Sequence, residues 1–243
     1  MSTMATMDTG KNNARVLGAA FLLQIIVSVA AMITEIRIKQ DLIVPGNMGE
    51  SLINIANNTW LLRLNILGEM LATATLIFLG AMLYVTLKKQ NGKIAVTALV
   101  FYGVSAGILA VSRLSVFALL RISEEYVLTG HPASLLPIGS LALESMDYGI
   151  ILMGLPVCLG AILFFYLFYT SGMIPRILSL WGSMAMIVLL IGILYTLSTC
   201  NEIPFFFYIP YIPVEPAIGI WLLVKGIKEQ QPAAGELEER MVQ

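Results

Sequence analysis

Long uncharged apolar runs alternate along this chain with short polar connections. A helix crossing the hydrocarbon of a bilayer needs about 20 mostly apolar residues, and six stretches approach that length. Residues 16–34 carry no charge, and Gln24 is their most polar side chain. Residues 70–87 form the second run, which extends backwards through Trp60, Leu61 and Leu62 if Arg63 and Glu69 are accommodated in the helix. Residues 94–112 are the third, residues 148–174 the fourth, and residues 177–201 the fifth. A tight turn, Ser171-Gly-Met-Ile-Pro175-Arg176, separates the last two. The sixth run, residues 205–224, carries Pro210, Pro213 and Pro216 with Glu215 among them. Proline removes a backbone donor and clashes with the preceding turn, so the first half of this span is expected to be kinked or partly unwound.

The pattern predicts an all-α, polytopic membrane protein built as a bundle of six transmembrane helices. Residues 16–228 make one domain, flanked by a flexible N-terminal tail (1–15) and a flexible polar tail (229–243). The first apolar run is expected to remain in the protein, because no small-residue cleavage site follows it before Glu35. Composition points the same way. Of 243 residues, 58% are hydrophobic and 12% charged, against about 25% charged in an ordinary soluble domain. Membrane lipids are therefore the expected surroundings. A net charge of −1, without a basic stripe, excludes a nucleic-acid footprint.

Lysine and arginine collect in the short connections on one side of the membrane. Lys11, Arg15, Lys88, Lys89, Lys93, Arg176, Lys225, Lys228 and Arg240 fall there, against Arg37, Lys39 and Arg121 on the other. Both termini are thus expected to be cytoplasmic in a bacterial inner or plasma membrane. The two outer connections, 35–59 and 122–144, are long enough to be functional or partly helical, and residues 50–60 could continue the second helix outward.

Charges at membrane depth are costly and point to function. With Trp60 taken as the outer interface and a rise of about 1.5 Å per residue, Glu69 is expected near the midplane. Glu215, ten residues before Lys225, is expected at the same level. Arg113 reaches the outer interface with Glu144 and Asp147, whose i, i+3 spacing shares one helix face. The resulting picture is an outward-facing polar funnel. Arg63, Arg113, Glu144 and Asp147 bind a ligand at the mouth, or merely pair and snorkel there. Glu69 and Glu215 stand at the floor as candidate catalytic acids able to donate a proton.

Other features carry less chemistry. His131 is a lone loop histidine, and no metal set can be built around it. Cys158 and Cys200 differ in expected depth and are not expected to pair. Phe205, Phe206, Phe207, Tyr208 and Tyr211 read as an interfacial aromatic belt. Gly149, Gly154, Gly160, Gly182 and Gly192 permit close helix approach. Asn57-Asn58-Thr59 fits the glycosylation pattern. No cofactor is indicated.

Arg15 with Gly18, the run Gly172-Met-Ile-Pro-Arg-Ile-Leu-Ser-Leu-Trp-Gly182, and the run Pro213-Val-Glu-Pro-Ala-Ile-Gly-Ile-Trp-Leu-Leu-Val-Lys-Gly226 resemble a bacterial six-span membrane family catalogued only as a domain of unknown function. The resemblance implies the topology, places Glu215 in a family-type motif, and brings no activity. Two functional classes follow from the residues. One is a membrane-embedded enzyme or binder of a lipophilic, prenylated-type small molecule; as an enzyme it would use acid/base chemistry of an isomerase or lyase kind, comparable in architecture to integral-membrane terpene cyclases. The other is a small-molecule or proton-coupled carrier, or a structural partner subunit.

Overall fold

The computed structural model describes residues 2–199, 201 and 203–227, with side chains from Asn13 onward. Among these residues every regular element is helical: α1 (Ser2–Arg37), α2 (Met48–Asn57), α3 (Thr59–Leu87), α4 (Gly92–Leu128), α5 (Leu136–Ser171), α6 (Arg176–Thr199) and α7 (Val214–Lys225). Helix α1 continues into a wide π-type turn over Ile38–Leu42. Five of the helices, all but α2 and α7, are long and apolar enough to cross a membrane. Helix α7 has 12 residues, about 18 Å of rise, and the segment before it is a single 3₁₀ turn, Phe205–Phe207, followed by successive turns. The unwound first half expected of the last span is therefore present.

Local chemistry explains the breaks. Asn47 Oδ1 accepts the Glu50 amide at 3.1 Å and starts α2, and Asn91 Oδ1 accepts the amides of Lys93 and Ile94 at 3.1 Å to start α4. These side chains satisfy amides that have no partner in the first turn. Gly172 ends α5 in the left-handed region at φ 63°, where a Cβ would be strained. Pro175 then precedes α6, as the sequence indicated.

Neighbouring helices run in the order α1, α3, α4, α5, α6, α7 and back to α1, while α2 caps α4 and α5 at one end. The main core fills this ring, with Leu79, Leu83, Phe164, Phe168 and Ile218 among its buried members. A second core, including Ile38, Leu52, Ile55, Leu119 and Met146, lies at the end capped by α2. We call this the distal end, and the end carrying Arg15, Lys88, Lys93, Arg176 and Lys225 the basic end. The regions expected as outer connections are mostly helix. Helix α4 runs on to Leu128 and α5 begins at Leu136, leaving only a short connection. Helix α2 does not extend α3; it is a separate element, broken from it at Asn58.

Close approach relies on small residues, as the glycine pattern suggested. A Cβ on Gly149 would collide with Ser112, and one on Gly160 would meet the Ala98 carbonyl at 2.9 Å. Cys158 is buried and free, whereas Cys200 lies outside the described residues, as do residues 229–243 of the expected tail.

Candidate functional site

Polar side chains at helix depth gather in two places. The first is a distal cluster assembled from α1, α3, α4 and α5. Arg113, 3% exposed, donates through Nε and Nη2 to Ser112 Oγ at 3.2 and 3.0 Å and through Nη1 to Asn65 Oδ1 at 3.4 Å. Asn65 Nδ2 in turn donates to Thr34 Oγ1 at 3.0 Å. Glu69, 8% exposed, lies one turn from Asn65 on α3, within the field of Arg113, as does Glu35. Lys39 Nζ sits 2.8 Å from Asp147 Oδ1 and 3.6 Å from Glu35 Oε1. Three carboxylates and two cations thus face one another across four helices.

The depth of this cluster follows from counting residues toward the basic end. Glu35 lies 20 residues from Arg15, Glu69 19 from Lys88, Arg113 20 from Lys93, and Asp147 24 from Ser171. At about 1.5 Å per residue these place all four roughly 28–36 Å away, the outer limit of a hydrocarbon layer about 30 Å thick. Counted from this end, Glu69 does not share the level of Glu215, which lies ten residues from Lys225. Measuring from Trp60 failed because α3 begins at Thr59 and its first turns pack in the distal core, where Leu61 and Leu62 are buried. Arg113 falls at that outer limit as a buried node.

The second place surrounds Glu215, in the first turn of α7. Glu215 lines a small cavity of about 10 Å³ with Phe21, Leu83, Tyr102, Phe164 and Met186 among others, so that every helix of the ring contributes. That volume is close to a single water. Tyr211 hydrogen-bonds to the Glu215 carboxyl. Counted from Lys93, Tyr102 is nine residues in, or about 14 Å. Glu69 and Glu215 accordingly lie about 15 Å apart along the bundle and share neither a level nor a cavity.

The remaining candidates separate as well. Arg63 is 63% exposed in its side chain and pairs with Glu124 at 3.6 Å, which Arg121 also holds at 2.8 Å. Glu144 is exposed, one turn from Asp147 but turned away from its pairing. His131 is exposed and stacks on Tyr126. The sequence reading passed over Glu35, Lys39, Asn65 and Ser112. The signal was present: Glu35 and Lys39 stand at i, i+4 where the first apolar run ends, and Asn65 precedes Glu69 by the same spacing.

Beside the distal cluster, α4 and α5 flank an open lateral groove of about 610 Å³, lined by Gly107, Val111, Ser112, Ser115, Ser145 and Tyr148 among others. Gly149, which packs directly on Ser112, also lines it. Ser112 Oγ donates to the Leu109 carbonyl at 2.7 Å and accepts both Arg113 bonds, which satisfies it fully, so the lone pairs open to a ligand are those of Ser145, which donates to the Leu141 carbonyl at 2.7 Å. Gly107 faces open space, with nothing within 4 Å of the position a Cβ would take.

A bundle with five helices able to cross a bilayer, apolar on its outer faces and polar at two interior points, has the makings of an integral membrane protein. The family model for a domain of unknown function, DUF4386, matches residues 16–226, and the chain belongs to that family. Nothing matches it among curated proteins or among solved structures.

Proposed function

We propose that this protein is a six-span binder of a lipophilic small molecule, held in a plasma membrane with both termini cytoplasmic. The sixth crossing consists of the non-helical segment 203–213 followed by α7. The observation that carries the reading is the α4–α5 groove. Its volume, about 610 Å³, falls within the range of roughly 300–1,000 Å³ typical of small-molecule sites. Its lining is apolar with a few hydroxyls, and it opens sideways through Val111, which is 65% exposed.

The chemistry favours a neutral head with a donor. The charged side chains of the distal cluster already have partners, and Ser145 presents lone pairs. A lipophilic alcohol, of prenylated or similar type, satisfies both conditions. Arg113 then serves as a positioning residue that fixes Ser112. A reaction shared between Glu69 and Glu215 is not favoured, because about 15 Å separates them.

The test is native mass spectrometry of protein purified in mild detergent, comparing wild type with Gly107→Phe. The substitution fills open space and removes a helix-weakening glycine, so the melting temperature should hold or rise. Wild type is expected to retain a co-purified neutral lipid, and the variant to lose it. Equal retention in both would defeat the reading.

A further inference from the structure

The groove makes no use of Glu215, and the surroundings of that residue are unusual for a carboxyl at membrane depth. The elements around its cavity bring no basic side chain to the lining: α1 contributes Phe21, α3 Leu83, α5 Ala161 and three phenylalanines, and α6 Met186. The titratable groups that face it are Tyr102 on α4, which lines the cavity, and Tyr211 on the segment before α7, with the Cys158 thiol of α5 behind them. A carboxyl without a cation in such a place is retained at a cost that structure alone does not repay.

The segment leading to it is equally unusual. Residues 203–213 hold one 3₁₀ turn and successive turns, not α-helix, although they lie at membrane depth: Phe207 packs where a Gly192 Cβ would stand, 2.7 Å from its Cγ, and Gly192 is 16 residues from Arg176, about 24 Å in. Irregular backbone persists at that depth only where it is buried in protein or lines a polar path. Tyr211 hydrogen-bonds to Glu215. Tyr208, three residues earlier and tied to Tyr211 by a 3.0 Å backbone hydrogen bond, lies in the field of Cys158, Glu35 and Lys39. Running from about 24 Å at Phe207 to the level of the cavity, the segment carries the Tyr208 and Tyr211 hydroxyls between the distal cluster and Glu215.

We infer that Glu215 is a proton-exchanging site on the bundle axis, served from the distal side through Tyr208 and Tyr211. The step is a proton transfer alone. The Glu215 carboxylate takes a proton from the Tyr211 hydroxyl as Tyr211 is reprotonated from the Tyr208 side, and Tyr208 is reprotonated from the distal end; the reverse sequence discharges the site. No bond to carbon changes and no oxidant is needed. This site is independent of the groove.

Attenuated-total-reflection infrared spectroscopy on the full chain in phosphatidylcholine vesicles tests the inference. Buffer is switched from water to deuterium oxide, and the stretch of the protonated carboxyl is followed. Wild type is expected to show a band that exchanges with the bulk, that disappears in Glu215→Gln, and that survives in Glu69→Gln. Tyr208→Phe and Tyr211→Phe should each slow its exchange by roughly a hundredfold, the low end of what a positioned proton-transfer group contributes. Gly107→Phe should leave it unchanged, which keeps the test separate from lipid binding. A band that persists in Glu215→Gln overturns the inference. So does an exchange rate indifferent to both tyrosine substitutions, which can be read even if Glu215→Gln does not fold.

Discussion

The distal cluster and the Glu215 cavity solve the same problem in opposite ways. In the cluster, charge at the edge of the hydrocarbon is neutralised by charge: Arg113, Lys39, Glu69, Glu35 and Asp147 come from different helices and meet. Around Glu215 a carboxyl faces two phenols, Tyr102 and Tyr211, in a cage of aromatic rings. Mutual neutralisation makes the first region a structural tie between α1, α3, α4 and α5, whose by-product is a fixed groove wall. The second region has no such tie, so its charge is free to change. Residues of one region should accordingly report on stability, and those of the other on proton exchange.

Substitutions can break this contrast. The largest loss of stability is expected for Arg113→Gln, which strands Glu69 without its nearest cation and leaves Asn65 without its donor. Removing one partner of a buried pair costs about 3–5 kcal/mol, seen as poor expression or an early melt in mild detergent. Next comes Gly219→Leu. Even a Cβ there would approach Leu22 Cδ2 to 2.8 Å, so α7 must move off α1 at a cost of roughly 1–3 kcal/mol. Its infrared signature, a disturbed Glu215 band with the distal cluster intact, sharpens the separation between the regions. Lys39→Met removes a pair whose side chains are 44% and 39% exposed, and solvent screening limits the loss to about 1 kcal/mol by thermal melt. Arg63→Gln, at an exposed pair, should shift the melt by no more than about 0.5 kcal/mol.

Much of the frame was legible in the residues. Charge-free runs located the five long helices, the Ser171–Arg176 turn, and the unwinding ahead of α7, because each depends on local properties: hydrophobic length, a left-handed glycine, a run of prolines. Depth was harder to read. Choosing Trp60 as the interface shifted Glu69 by several turns, since nothing local shows that α3 begins inside a distal core held by α2. Partnership was harder still. Asn65 meets Arg113 across 48 positions, and Lys39 meets Asp147 across more than a hundred; such pairs arise from helix order around the ring, which hydropathy does not encode. Glu215 was legible as a carboxyl inside the last apolar run, but its place beside Tyr211 was hidden by a reading of the aromatic run as an interfacial belt.

The central claim is that Glu69 and Glu215 belong to different sites, and a double-mutant cycle tests it most directly. Thermal stability in mild detergent would be measured for Arg113→Gln, Glu69→Gln, Glu215→Gln and the two doubles that contain Arg113→Gln. Arg113 and Glu69 should couple by about 1–3 kcal/mol, as members of one network do, whereas Arg113 and Glu215 should add to within about 0.5 kcal/mol. Additivity in the first pair together with strong coupling in the second would contradict the account.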